Sequence, residues 1–211
     1  MKKLLFLSMM LVSLMACKND NPLLVEQNTP FGVPAFDQVK IEHYLPAFEK
    51  AIAENEAEIA AIANNPEAPT FANTIEALDR SGELLNKVVG VFFNLNETDA
   101  DEAMKVTESN ITPLMTEHNA YMTMNEPLFA RIKTIYDNKA TLGLTREQEM
   151  VLDKYYRMFV RGGALLNADQ KAQYMKIEKQ LSLAMIKFGN NSLAETNAFE
   201  LLITDEKDLA G

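Results

Sequence analysis

The chain has 211 residues, 47% hydrophobic and 24% charged, enough apolar material for a real core in one large domain or two small ones. Its formal net charge of −10, with no clustered lysines and arginines, argues against a nucleic-acid binder, because phosphate neutralisation needs clustered cations. A single cysteine excludes an internal disulfide.

The N-terminus reads as an address. In MKKLLFLSMMLVSLMAC, Lys2 and Lys3 precede an unbroken apolar stretch from Leu4, and the small Ala16 stands directly before Cys17. That is the layout of a secretory signal, and its apolar part is shorter than the roughly 20 residues a membrane-spanning helix needs. Leu14-Met15-Ala16-Cys17 resembles a bacterial lipobox, with Met15 an uncommon residue at its position. The resemblance makes Cys17 the lipid-attachment residue and residues 1–16 the signal peptide. It places the protein in the cell envelope, lipid-anchored and facing the periplasm. The alternative is plain secretion with cleavage near Ala16 and an incidental cysteine.

Residues 17–36 form an extended tether and lead-in, since Pro22, Pro30, Gly32 and Pro34 rule out a regular helix. Phe31 and Phe36 are expected to pin it to the body. Helical periodicity begins near His43: Leu45, Phe48, Ile52, Ile59 and Ile62 keep to one face, with Pro46 near the helix start and Asn64-Asn65-Pro66 as the stop. A second helix, capped by Thr70, carries Phe71, Ile75, Leu78, Leu85, Val89 and Phe92. The short Pro-containing loop before it favours an antiparallel pair.

A third helix spans about 99–122, opens on acidic residues and is kinked or interrupted at Pro113. A fourth runs from about Pro127 to Asn138. The fifth opens on Thr145 and Gln148 in capping-box register and closes on Gly162-Gly163. The sixth repeats the register with Asn167 and Gln170, places Tyr174, Ile177, Leu181, Met185 and Phe188 on one face, and meets Gly189. A short strand, Phe199 to Thr204, follows. The fold class is therefore all-α: a bundle of about six helices with one short strand at its C-terminal end.

Chemistry is sparse. His43 and His118 are the two histidines, each preceded by a glutamate, and neither has a second imidazole one helical turn away as H-E-x-x-H requires. Both read as ordinary helix residues, the alternative being a long-range metal site built from the two histidines and a distant glutamate. A zinc site built from cysteines is excluded with the sole cysteine at position 17. Asp99, Asp101 and Glu102 hint at calcium, but the glycine and the final glutamate of an EF-hand loop are missing, so a capped helix start is the better reading. No G-x-S-x-G elbow or Gly-rich phosphate loop occurs. No catalytic and no metal-ligating residue is assigned.

Blocks of the chain, in order, carry a family resemblance: TPFGVPAFDQVKIEHYLPAFEKAI, NNPEAPTFANTIEALDRSGELL, GVFFNL, YYRMFVRGGALL and FGNNSLAETNAFELLITDEKDLAG. From about Asn21 onward they resemble the bacterial peptidyl-dipeptidases of the thimet-oligopeptidase-like zinc metallopeptidase family. Ile41 departs from the family pattern, where proline is expected.

The resemblance implies a largely helical fold with two lobes flanking a channel for short peptides. It also implies a zinc ion held by an H-E-x-x-H helix and a further glutamate, and release of dipeptides from free C-termini. Those catalytic residues lie in the part of the family that follows the matched region. Residues 37–211 are thus expected to be the helical N-terminal part of such an enzyme, stopping before the zinc site and inactive alone. The other reading is a non-catalytic acidic helical lipoprotein, acting as a peptide-binding or structural module.

Overall fold

The computed structural model describes residues 21–26 and 29–209. The predicted signal peptide and Cys17 lie outside the described residues. Seven α-helical elements follow in order: α1 (Ile41–Ala63), α2 (Ala77–Arg80), α3 (Glu83–Thr98), α4 (Glu102–Thr123), α5 (Glu126–Asp137), α6 (Arg146–Arg161) and α7 (Ala168–Ala198). A π-helical turn, Phe71–Glu76, runs directly into α2. The all-α class predicted from periodicity is the one observed.

The described chain divides into two compact units, drawn from Met1–Glu58 with Arg80–Thr107 and from Ile59–Asp79 with Glu108–Gly211. In the first unit, Phe92 of α3 receives Tyr44 and Phe48 of α1 edge-on, with ring centroids 5.0 and 5.7 Å away. Phe48, Val88 and Phe92 are fully buried. Burying each such side chain stabilises by about 1.5–3 kcal/mol. In the second unit, Ile75 and Leu78 pack with Leu128, Ile132 and Ile135 of α5 and with Leu152 and Phe159 of α6. A ladder of rings, Tyr136 on Tyr156 at 3.8 Å, Tyr156 by Phe129 and Phe129 by Phe159, holds α5 against α6.

Helix starts follow the predicted chemistry. Thr70, Thr145 and Asn167 each cap a helical segment in a reciprocal capping box, with Asn73, Gln148 and Gln170 as the third residues. Asp101 Oδ1 accepts the Met104 N–H at 2.8 Å, so the acidic stretch before α4 is a helix cap.

Several expectations are corrected. The predicted second helix is two: it breaks at Ser81-Gly82, where Gly82 takes φ +74° and its N–H donates to Glu58 Oε2 at 2.7 Å. Helix α1 begins at Ile41, so Pro46 sits inside it rather than in the first turn. Pro113 also stands within α4, which is not interrupted there. Helix α7 does not stop at Gly189 but runs on to Ala198, because a glycine with open space around it merely lowers helix propensity. Phe31 does not pin the lead-in; it is fully exposed in a left-handed turn, and Leu23 is the anchor instead. Asn21 fixes that anchor by accepting the Leu23 N–H at 3.0 Å and donating to the His43 carbonyl at 2.7 Å.

The strand expected at Phe199 to Thr204 is absent. No strand forms among the described residues, and this run is irregular and exposed. Backbone becomes a strand only when a neighbour takes its hydrogen bonds, and no described segment does so here.

Candidate functional site

The residues singled out by sequence each serve a helix. His43 Nδ1 accepts the Lys40 N–H at 3.0 Å, which fixes the imidazole at the start of α1. His118 is buried in α4. The two histidines belong to different units. Asp99 follows the last residue of α3, Asp101 caps α4, and Glu102 pairs with Lys105 at 2.6 Å on the same helix. Among the described residues no three His, Cys, Asp or Glu side chains converge to hold a metal ion. These residues do not fit a zinc site.

The densest polar constellation was not legible beforehand. Arg131 of α5 is buried beneath the loop that precedes the π turn, in the second unit. Its Nη1 donates to the carbonyls of Asn65 at 2.8 Å and Glu67 at 3.0 Å. Its Nη2 donates to Asn73 Oδ1 at 2.9 Å and its Nε to Thr74 Oγ1 at 3.3 Å. The planar fork suits this multiple capture of oxygens. Asn73 also closes the capping box with Thr70, so one guanidinium ties the loop, the cap and α5 together.

Beside it lies a cavity of about 150 Å³ lined by Phe71, Ile75 and Val151 and edged by Glu76, Asp79 and Glu147. It is smaller than the roughly 300–1,000 Å³ typical of ligand sites. Tyr155 donates its hydroxyl proton to Asp79 Oδ1 at 2.8 Å. Burial, and then the Asp79 carboxylate, push the Tyr155 phenol well above its usual range. Glu147 is held below the usual carboxylate range by its own backbone N–H and by the Thr145 hydroxyl. Asp79 is therefore engaged on a phenol and Glu147 at a helix start.

Two further hollows belong to the second unit. One of about 470 Å³ is walled by Ala60, Ala63, Tyr121, Met124 and Pro127. Its polar rim is committed: Asn125 caps α5, Glu126 pairs with Lys171 and Asn64 donates to the Ala60 carbonyl. The other runs along α6 beside Lys154, Arg157, Met158 and Arg161. These three cations are exposed, and at that spacing they form a solvated row whose attraction is screened by salt.

No family model matches the chain. The dipeptidyl carboxypeptidase of Escherichia coli (strain K12) is 34% identical over 191 residues, covering 90% of this chain and 28% of that protein. The dipeptidyl carboxypeptidase of Salmonella typhimurium is 32% identical over the same shares. The oligopeptidase A of Salmonella typhimurium is 27% identical, again across 90% of this chain and 28% of the relative. Over this stretch the chain is similar to proteins named dipeptidyl carboxypeptidase and oligopeptidase A. It spans 28% of the length of these relatives and matches their N-terminal part. The resemblance to peptidases read from the sequence blocks is therefore the one these relatives show.

Proposed function

We propose that this chain is the N-terminal helical part of a lipid-anchored zinc metallopeptidase that removes dipeptides from the C-termini of short peptides. The observation that carries the reading is 34% identity, across 90% of the chain, to a protein named dipeptidyl carboxypeptidase. In this reading the zinc ligands and the general base come from residues outside the 211 present, and these helices wall the channel that limits substrate size. The commitment of the described polar groups to helix caps and loops supports a scaffolding part over a catalytic one. Cys17 carries the lipid, and the protein faces the periplasm from the cell envelope.

The test is direct. The purified 211-residue chain, supplied with zinc, should release no dipeptide from short peptides; normal turnover would overturn the assignment. A separate fractionation tests the anchor. Chain carrying its N-terminal segment should sediment with membranes, and Cys17→Ala should move it to the soluble fraction. An unchanged distribution would remove the lipid from the reading.

A further inference from the structure

Helix α7 runs for 31 residues without one buried side chain. Polar contacts join it to α4: Thr116 and Ser182 share a hydrogen bond at 3.1 Å, and Lys179 pairs with Glu117. Exposed ion pairs of this kind contribute about 0–1 kcal/mol. Of the apolar face read from periodicity, Tyr174 is half-buried and donates to the Arg161 carbonyl, and the rest is open. Ile177 and Leu181 are half exposed, while Met185 is 66% and Phe188 76% exposed. The segment after α7 adds Phe199 at 74% and Leu202 at 84%. A helix this long gains its stability chiefly by burying an amphipathic face, and a continuous apolar patch on a folded surface marks an interaction site.

We infer that the α7 face of Ile177, Leu181, Met185 and Phe188, with Phe199 and Leu202 beyond it, docks the remainder of a full-length peptidase polypeptide. The inference rests on the peptidase reading above. The chain matches 28% of its relatives, so the greater part of each relative's length lies outside the matched stretch and is available as the occupant. The face is aliphatic and aromatic, so its partner presents an apolar surface and closes a core rather than a polar rim.

The test compares the native face with a fourfold variant, Ile177→Gln, Leu181→Gln, Met185→Gln and Phe188→Gln, in two settings. In the 211-residue chain, the variant should keep its helix content and unfolding midpoint while binding less hydrophobic dye and aggregating less. A loss of helix content would show that the face is engaged within the chain's own fold and would overturn the inference. The second setting is the Escherichia coli dipeptidyl carboxypeptidase with its matched 191 residues replaced by those of this chain. There the variant should lower the melting temperature by at least 5 °C and split a single transition into two.

An equal melting temperature with and without the substitutions would overturn the docking, whatever the peptidase activity. A sensitive chimera that releases no dipeptides would leave the docking standing and overturn the peptidase reading. Should the chimera with the native face fail to fold, a smaller exchange of Ala168–Ala198 alone repeats the comparison, and failure there too overturns the inference. A saturable dimer of the 211-residue chain, or its binding to phosphatidylglycerol vesicles, does the same if abolished by the fourfold variant while the chimera is indifferent. Those results would name a second copy or a lipid surface as the occupant.

Discussion

Replacing Arg131 by methionine tests the organisation of the second unit. Methionine keeps much of the arginine's apolar stem and removes the fork that donates to Asn65, Glu67, Asn73 and Thr74. Hydrogen bonds from a charged donor contribute about 1.5–3 kcal/mol each, so the three shorter ones represent about 5 kcal/mol before any offset. Removing the buried cation returns part of this, because desolvating a guanidinium costs several kcal/mol. A net loss of about 3 kcal/mol is expected. Arg131→Lys should lose about half as much, since one ammonium can serve the Asn65 and Glu67 carbonyls that share Nη1 but cannot also reach Asn73 and Thr74.

Five of the six tyrosines lie in the second unit and the chain has no tryptophan, so tyrosine fluorescence reports this unit selectively in a urea titration. With a slope of about 2 kcal/mol per molar, Arg131→Met should move the midpoint down by about 1.5 M. The reasoning is refuted if methionine is neutral or stabilising, or if lysine costs as much as methionine.

Gly82→Ala should destabilise by about 1–2 kcal/mol in thermal unfolding, because φ is +74° and an added methyl would lie 3.0 Å from the Asn55 side chain. Gly162→Ala should cost more, about 2–3 kcal/mol, since its methyl would sit 2.5 Å from Thr123 Cβ; a compensating Thr123→Gly should restore part of the loss. The raised phenol of Tyr155 makes stability depend on alkaline pH. Its contribution is fully present below the ordinary tyrosine value of 10.0 and is lost as pH rises through the folded value, because the unfolded phenol ionises first. Urea midpoints taken above pH 10 should therefore fall less steeply in Tyr155→Phe than in the parent chain.

Local signals were legible where the physics is local. The capping boxes at Thr145 and Asn167, the Thr70 cap and the acidic start of α4 all use side chains within three residues of the N–H groups they satisfy. The break at Gly82 was not legible, because it depends on Glu58 accepting a hydrogen bond from 24 residues away. Arg131 was hidden for the same reason. It sits among Leu128, Ile132 and Ile135, and nothing nearby in the chain announces that distant carbonyls will surround its guanidinium. Periodicity placed Ile177, Leu181, Met185 and Phe188 on one face but could not say what covers it. An amphipathic pattern encodes a demand for burial, not the identity of the partner. The Phe199–Thr204 run misled in the same way: β-branched and aliphatic residues indicate that a strand can form, while the ladder needs a second segment.

The site and the fold meet in how polar and apolar groups are distributed. Within the second unit the buried arginine is satisfied four times over, Thr123 bonds both Asn119 and Gly162, and Asp79 accepts a hydrogen bond from the Tyr155 hydroxyl. Such groups fix geometry; to serve as nucleophile or base they would have to give up bonds that hold the loop and helix ends in place. The apolar inventory is the reverse. The α5–α6 core is closed by its own rings, whereas α7 and the segment after it hold large aliphatic and aromatic side chains in water. The buried arginine is satisfied internally, whereas the apolar face of α7 is left in water. That asymmetry fits the proposed scaffolding role, and it makes the α7 face the place where substitutions should first affect the proposed full-length enzyme.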